Sequence, residues 1–210
     1  MIKILIADDH SVVRAGLKQI LSEVPDMTVV DEVSNANEAI DKIRRKDYSI
    51  VIMDIYMPGK SGFDALKEIK YEYPGLPVLM LSMYPEDQYA IRVLRSGASG
   101  YITKDSAIEV LVTAVRTIAA GKKYISPSIA EKLVFHLDDD ANKEPHEILS
   151  DREYQVLCMI ASGKTVSEIA DQLSLSVKTV STYRSRILEK MQMKNNSELT
   201  SYVIKNSLIE

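Results

Sequence analysis

The sequence lacks most of the features that mark secreted, membrane or disulfide-bonded proteins. Its 210 residues include one cysteine, Cys158, so an internal disulfide is excluded. Cys158 lies in an apolar helical pattern, which favours a buried and unreactive thiol. No apolar run approaches the roughly 20 residues of a membrane helix, and the amino terminus does not resemble a secretory signal. We therefore expect a cytoplasmic protein with no membrane partner.

An excess of positive charge is also absent. The formal net charge is −4, so the overall balance gives no sign of a nucleic-acid partner, and only local charge can indicate one. With 46% hydrophobic and 27% charged residues, the composition is that of a globular protein with a core. The length allows one large domain or two small ones.

Four short apolar runs in the first half of the chain each end on polar residues. Helical patterns separate the runs, and the polar residues at their ends are Asp8 with Asp9, Asp54, Ser82 and Lys104. This alternation predicts buried parallel strands in a doubly wound α/β sheet. Because sites in such sheets lie beyond the carboxyl ends of the strands, these residues are expected to converge on one pocket.

Three carboxylates, a hydroxyl and an ammonium group suit a divalent cation and a phosphoryl group. Neighbouring carboxylates repel one another unless a cation is present, and Mg²⁺ is commonly held by one or two carboxylates plus phosphate oxygens. A remaining carboxylate can then accept a phosphoryl group. Each residue alone is more simply explained as a helix cap or a surface ion pair. Their placement on separate strands favours the functional interpretation.

The strand and helix pattern predicts a first domain over residues 1–121. The second strand is the weaker run Thr28 to Val33, and the helices that follow it are predicted near 36–45, 62–72, 86–96 and 106–120. Residues 122–147 are predicted to be a linker with one short helix. That helix begins at Ser126-Pro127 and runs to about Leu137, and the charged stretch Asp138 to Pro145 follows it.

Residues 148–210 contain no strand pattern and predict an all-α domain of four short helices. Their expected starts are Ser150, Thr165, Ser176 and Ser197, the first two as capping boxes. A helix over 166–173 is joined to the next helix by the turn Ser174-Leu175-Ser176, which predicts a helix-turn-helix.

The third of these helices, about Val177 to Gln192, is amphipathic. Its apolar face carries Val180, Tyr183, Ile187, Leu188 and Met191. Its opposite face carries Lys178, Ser181, Thr182, Ser185 and Arg186. Small hydroxyls and cations on one face fit a DNA major groove. A solvated helix in a small bundle, or a protein-binding module, stays open as an alternative on these residues alone.

The runs IADDH at 6–10, DIYMPGKSG at 54–62, LS at 81–82 and GYITKD at 100–105 resemble the receiver domain of bacterial two-component response regulators. The resemblance implies that Asp54 is the phosphoacceptor. It also implies that Asp8 and Asp9 hold Mg²⁺ together with Asp54 and the backbone carbonyl of Tyr56, and that Lys104 binds the phosphoryl group.

The same resemblance implies that Ser82 and Tyr101 form a switch pair, with Tyr101 turning inward behind Ser82. A half-buried strand aromatic would explain Tyr101 equally well. Asp105 stands where many receivers have proline, so a cis peptide after Lys104 would cost about 3–4 kcal/mol.

Residues 149–191 resemble the LuxR-type DNA-binding domain, and the whole chain resembles NarL/FixJ-type response regulators. The resemblance implies base contacts from Ser181, Thr182 and Ser185. It implies DNA-backbone contacts from Lys178, Thr179 and Arg186. Tyr183 stands where this family commonly has histidine. The family's usual dimer surface corresponds to Leu199, Tyr202 and Val203, although core packing would explain these residues equally well.

The expected function is that of a phosphorylation-switched transcription factor rather than an enzyme. A sensor histidine kinase would phosphorylate Asp54, and a homodimer would then bind paired inverted or direct half-sites in promoter DNA, with RNA polymerase as a further partner. A Mg²⁺-dependent phosphohydrolase is the enzyme alternative. Its nucleophile lies on the first strand with a second aspartate two positions later, whereas Asp8 and Asp9 are adjacent.

Overall fold

The chain divides into two compact units, Met1–Ala130 and Glu131–Glu210. A computed structural model describes residues 1–83, 86–126, 129–130, 144–206 and 208–209. Most of the predicted short helix from Ser126, and most of the charged stretch from Asp138, lie outside the described residues. The domain boundaries at 121 and 148 therefore stay predictions. Among the described residues, no helix is long and apolar enough to cross a membrane.

The first unit is a five-stranded parallel sheet with helices between successive strands, which confirms the predicted α/β class. Its elements are β1 Ile2–Ala7, α1 Ser11–Ser22, β2 Met27–Val33, α2 Ala36–Arg45, β3 Ile50–Asp54, α3 Gly62–Glu72, β4 Val78–Ser82, α4 Glu86–Arg95, β5 Gly100–Thr103 and α5 Ala107–Ala119. The strand order is β2-β1-β3-β4-β5. The direction in which successive strands are added to the sheet therefore reverses between β1 and β3, and folds of this kind bind ligands at that point.

The central strands are apolar throughout because helices cover both faces of the sheet. β3 and β4 are buried at every position. Alternate strand residues such as Ile4, Ile52 and Leu81 pack with α1 and α5 into one continuous core. This core leaves the carboxyl ends of the strands as the polar edge of the unit.

In its described part, the second unit contains four α-helices, as predicted, and a 3-10 helix that was not predicted. They are the 3-10 helix Pro145–Ile148, α6 Asp151–Ala161, α7 Val166–Leu173, α8 Val177–Lys190 and α9 Asn196–Lys205. Capping boxes begin α6 at Ser150 and α7 at Thr165. The 3-10 helix covers residues that the sequence assigned partly to the linker.

The predicted start of the last helix at Ser197 is wrong by two residues. The N-cap is Asn195, whose side chain accepts a hydrogen bond from the backbone N–H of Glu198. Asparagine caps helices as well as serine does, and Glu198 in turn accepts a hydrogen bond from the backbone N–H of Lys194. The sequence offered two good capping residues close together, and the paired bonds with Glu198 favour the first.

Two of the three residues named as dimer contacts are buried in the core of the second unit. Leu199 and Val203 have no exposed surface, and α9 packs against α6. Core packing is therefore the correct interpretation of these two side chains. Tyr202 is half-buried, and its hydroxyl lies 2.9 Å from Nδ1 of His146 within the same unit.

Candidate functional site

The register of the sheet explains how the polar residues after the strands come together. Ala7 pairs with Met53, so Asp8 follows β1 at the level of Asp54. Asp54 pairs with Leu81, which places Ser82 one residue beyond it on β4. The backbone N–H of Lys104 donates to the carbonyl oxygen of Ser82 at 2.7 Å.

The structure brings the ammonium group of Lys104 between two carboxylates. Its Nζ lies 2.7 Å from Oδ2 of Asp54 and 2.8 Å from Oδ2 of Asp8. The exposed fractions of the three side chains are 5% for Lys104, 1% for Asp54 and none for Asp8. Because water hardly reaches these groups, their charges interact strongly.

Backbone groups fix the two carboxylates further. The backbone N–H of His10 donates to Oδ1 of Asp8 at 2.8 Å, and the backbone N–H of Tyr56 donates to Oδ1 of Asp54 at 3.3 Å. The Tyr56 side chain is half-buried. Both aspartates are therefore held in one orientation from two sides.

Glycine is required at the start of α3 because this helix approaches Asp54 closely. A Cβ on Gly62 would lie 1.8 Å from the carbonyl oxygen of Asp54. The backbone N–H of Gly62 also donates to the carbonyl oxygen of Ile55 at 2.9 Å. The end of β3 and the start of α3 therefore pack backbone against backbone beneath the site.

The pocket contains more carboxylate than positive charge. Burial raises the pKa of Asp54 to about 7, while Lys104 opposes this rise and Asp8 adds to it. Burial alone would lower the pKa of Lys104, but its interactions with Asp54 and Asp8 hold the pKa above its ordinary value. A second cation in the pocket would relieve the repulsion between the carboxylates.

The side chains present fit a divalent metal ion. Asp8, Asp9, His10 and Asp54 each offer one ligand atom, and these atoms all lie within 4.8 Å of one another. Three carboxylates supply the hard oxygen ligands that Mg²⁺ prefers. The acidic pocket predicted at the strand ends is thus suited to a cation.

Ser82 and Tyr101 lie on the same face of the sheet. Met80 pairs with Tyr101, and Ser82 is two residues beyond Met80, so the two side chains point the same way from neighbouring strands. Both are completely buried. Tyr101 is therefore directed inward, and it is not a half-buried strand aromatic. No peptide bond among the described residues is cis, and Lys104–Asp105 is trans.

Two residues near the pocket were missed by the sequence analysis. Nδ1 of His10 lies 2.7 Å from Oδ1 of Asp9 and 3.4 Å from Oδ1 of Asp8. Arg14 donates from α1 to the carbonyl oxygen of Asp8 at 2.5 Å. His10 was recognisable as a metal-ligating residue type directly after two aspartates, whereas only the fold brings Arg14 back to Asp8.

In the second unit, α8 separates buried and exposed residues as its pattern predicted. Val180, Ile187 and the C-cap residue Met191 are buried, and Tyr183 and Leu188 are half-buried. The exposed residues of the predicted contact set are Lys178, Ser181, Thr182, Ser185 and Arg186. In the described part of the chain, neither Lys178 nor Arg186 takes part in an ion pair.

The hydroxyl groups on α8 are partly engaged by the helix itself. Thr182 donates to the carbonyl oxygen of Lys178 at 2.9 Å, and Ser185 donates to that of Ser181 at 3.1 Å. Each hydroxyl oxygen keeps acceptor capacity on the exposed side. Thr179 is half-buried, with its hydroxyl 2.7 Å from that of the N-cap Ser176, so it is the least accessible of the predicted contacts.

A tight turn and two side-chain bonds hold α8 in the unit. Ser174 ends α7 in the left-handed conformation with φ of 53°, which turns the chain sharply before α8. Nε of Arg184 donates to Oδ1 of Asn196 at 2.6 Å. Nζ of Lys190 lies 2.6 Å from Oε2 of Glu153 at the start of α6.

Two sequence families match separate parts of the chain. Residues 4–116 match the family described as "Response regulator receiver domain". Residues 147–203 match the family described as "Bacterial regulatory proteins, luxR family". The first match covers the acidic pocket, and the second covers α6 to α8 and most of α9.

Relatives of known name match along the whole length. The oxygen regulatory protein NreC of Staphylococcus carnosus is 41% identical, and the match covers 99% of each chain. The response regulator GacA of Pseudomonas protegens is 36% identical over 100% of this chain and 99% of its own. Both matches extend across the two domain matches of this chain.

Solved structures of RcsB are similar over the full chain. RcsB of Salmonella enterica serovar Typhimurium, bound to the rprA promoter with the phosphomimetic BeF3⁻, has a TM-score of 0.67 and 27% identity and covers 100% of both chains. A structure of two RcsB dimers bound to two parallel DNAs has a TM-score of 0.59 and 28% identity, covering 100% of this chain and 99% of the other. With both domain matches and the full-length relatives, the chain belongs to the two-component response regulators of the NarL/FixJ type, a family of regulators and not of enzymes.

Proposed function

We propose that this response regulator is a transcription factor switched by transfer of a phosphoryl group from a sensor histidine kinase to Asp54. The observation that carries the proposal is the position of Asp54, buried at the tip of β3 and 2.7 Å from the ammonium group of Lys104. An Oδ atom of Asp54 attacks phosphorus as the bond to the donor's imidazole nitrogen breaks, and the bonding electrons leave with the imidazole.

Asp8, Asp9 and Asp54, with the backbone carbonyl of Tyr56, are the proposed ligands of Mg²⁺. When bound, Mg²⁺ supplies positive charge that offsets the carboxylates and the phosphoryl oxygens. Lys104 leaves its ion pairs with the carboxylates and binds a phosphoryl oxygen. The hydroxyl of Ser82 donates to another oxygen.

The switch is proposed to run from Ser82 to Tyr101. A phosphoryl group adds charge and acceptor oxygens at the pocket, which draws Ser82 towards it and favours the inward position of Tyr101. The shared sheet face and the complete burial of both side chains support this route. Phosphorylation thereby shifts the population between two receiver states.

DNA binding is assigned to the exposed face of α8. Ser181, Thr182 and Ser185 are the proposed base contacts, and Lys178, Thr179 and Arg186 are the proposed backbone contacts. Exposure of all but Thr179 supports this assignment. The RcsB structures with promoter DNA support it by similarity. A promoter-binding regulator acts in the cytoplasm, where RNA polymerase is a further proposed partner.

The dimer contact is reassigned to the outer face of α9. A shallow groove there is lined by Asn196, Ser197, Thr200, Ser201, Ile204 and Lys205. Ile204 is 61% exposed, whereas Leu199 and Val203 face the core. A second copy of the chain on this face would pair two α8 helices for two half-sites; the similar RcsB structure with dimers bound to DNA supports a dimeric form.

The test combines phosphorylation and DNA binding on one sample. A small phosphodonor with Mg²⁺ should add one phosphoryl group to the wild-type chain, measured by mass spectrometry. The same treatment should increase the molecular mass of the particle in solution, as expected for a dimer. It should also increase the enrichment of specific sites from a random DNA library. Asp54→Asn should lose all three responses. Asp41→Asn is the matched control, since Asp41 is an acid with a 62% exposed side chain. Retained labelling of Asp54→Asn would identify another acceptor and overturn the assignment.

A further inference from the structure

His10 faces the metal pocket with an atom that the oxygen-only ligand set does not include. Its Nδ1 lies 2.7 Å from Oδ1 of Asp9 and 3.4 Å from Oδ1 of Asp8. Its ring belongs to the group of four side chains whose ligand atoms lie within 4.8 Å of one another. An octahedral ion with ligands at about 2.1 Å has neighbouring ligand atoms about 3 Å apart and opposite ones about 4.2 Å apart. The spacing of His10 from the carboxylates fits this geometry.

The contact between His10 and Asp9 is a short one, with an imidazole nitrogen 2.7 Å from a carboxylate oxygen. Oδ1 of Asp9 is shielded from solvent, and no group in the described part of the chain donates a hydrogen bond to it. A buried carboxylate oxygen without a donor is unfavourable. An imidazole nitrogen and a carboxylate oxygen held side by side are the arrangement that a shared metal ion stabilises, since both atoms direct lone pairs to it.

His10 has no other evident function at this position. It is the N-cap residue of α1, yet its side chain caps no backbone N–H. Its backbone N–H donates to Oδ1 of Asp8 at 2.8 Å, and its carbonyl oxygen accepts from the backbone N–H of Arg14 at 3.1 Å; both bonds are independent of the side chain. The ring is 60% exposed, so it can turn towards an ion without disturbing the core.

We infer that Nδ1 of His10 is a direct ligand of the cation held by the acidic pocket. The inference rests on the proposed metal site and extends its ligand set from oxygen to nitrogen. Imidazole favours borderline transition ions, whereas an all-oxygen site suits Mg²⁺, Ca²⁺ and Mn²⁺. The pocket should therefore bind Co²⁺ better, relative to Mg²⁺, than its three carboxylates alone would.

The first measurement is calorimetric titration of the full chain with Mg²⁺ and with Co²⁺. His10→Ala should weaken Co²⁺ binding at least about tenfold, the size of loss common when a group supporting a metal site is removed. Its Mg²⁺ affinity should fall by a smaller factor, because the oxygen ligands that Mg²⁺ prefers remain. Asp8→Asn should weaken both ions and corrects for any binding outside the pocket.

The second measurement detects the nitrogen itself. Pulsed electron paramagnetic resonance of the Mn²⁺-loaded chain should show coupling to a coordinated imidazole nitrogen, and His10→Gln should abolish it while the other two histidines remain. If His10→Ala binds Co²⁺ as tightly as the wild-type chain, or if no nitrogen coupling is seen while Mn²⁺ is bound, His10 is not a ligand and the proposed function stands. If the wild-type chain binds neither ion, the inference and the proposed metal site both fail.

Discussion

The strand-tip pocket and the outer face of α8 both depend on charged side chains, but they hold them in opposite ways. In the pocket, Asp8, Asp54 and Lys104 lie at the carboxyl ends of three separate strands and are at most 5% exposed. On α8, Lys178 and Arg186 come from one helix and are exposed. The pocket is thus built by the fold, whereas the α8 face is built by helical periodicity alone.

This difference sets how much each charge matters to stability. Buried charges interact across a low dielectric, and loss of one partner leaves the other uncompensated. Exposed charges are screened by water and salt and contribute little to folding. The pocket should therefore be sensitive to substitution even without a ligand, whereas the α8 face should show its importance only when DNA is present.

Lys104→Met should have the largest effect on stability. It leaves Asp8 and Asp54 buried without their ammonium partner, which typically costs about 3–5 kcal/mol. Urea unfolding of the full chain in the absence of divalent cations measures the loss, and added Mg²⁺ should restore part of it. Lys42→Met is the control, because Lys42 pairs with Asp31 at 2.6 Å with a 40% exposed side chain. Asp31 is itself 10% exposed but keeps Lys46 at 2.8 Å, so it is not left without a cation and the loss should be about 0–1 kcal/mol. Equal losses in the two variants would erase the contrast between the pocket and the partly exposed pair.

Gly62→Ala tests whether close backbone packing maintains the pocket. The added methyl group would lie 1.8 Å from the carbonyl oxygen of Asp54, so β3 or α3 must move, at a cost of about 2–3 kcal/mol. Gly16→Ala should instead increase the free energy of unfolding. No atom lies within 4 Å of a Cβ at Gly16, and alanine stabilises a helix interior by about 0.5–1 kcal/mol. Urea unfolding compares the two, and a neutral Gly62→Ala would show that the approach of α3 is not required.

The two regions also differ in how well the sequence predicted them. Asp54 and Lys104 could be placed together because parallel strands end at one edge of a sheet, and the outer face of α8 follows from its period of 3.6 residues. The distance from His10 to Asp9 and the lack of space at Gly62 depend on loop geometry that no local pattern contains. Leu199 was ambiguous because an apolar residue at helical spacing suits a core and an interface equally.

Glu153→Gln probes the contact that anchors α8 to α6, with a smaller expected loss. Burial alone would raise the pKa of Glu153, but its bonds with Lys190 and Ser150 hold the pKa below its ordinary value of 4.5. The ionised form therefore stabilises the folded state by about 1 kcal/mol. The sign follows from linkage: this contribution is present above pH 4.5 and is lost as the pH falls through the lowered value. In calorimetric melting of the full chain, the melting temperature of the wild type should exceed that of Glu153→Gln at pH 7, and the two values should converge in acid. A difference that stays constant with pH would show that the effect does not depend on ionisation of Glu153.

Lys178→Ala should have the smallest effect on folding, within about 0.5 kcal/mol, and a clear effect on DNA binding. Lys178 is exposed in the first turn of α8, where it can neutralise one phosphate. Affinity should fall by a similar factor for all sequences, and the slope of log affinity against log salt should become shallower by about one unit. Lys122→Ala is the matched control, because Lys122 is an exposed lysine of the first unit that is not assigned to DNA. The slope is measured on a site selected from the random library. If it is unchanged in Lys178→Ala, Lys178 does not contact a phosphate. The base-facing hydroxyls would then be tested separately, by the changes in sequence preference that their own substitutions cause.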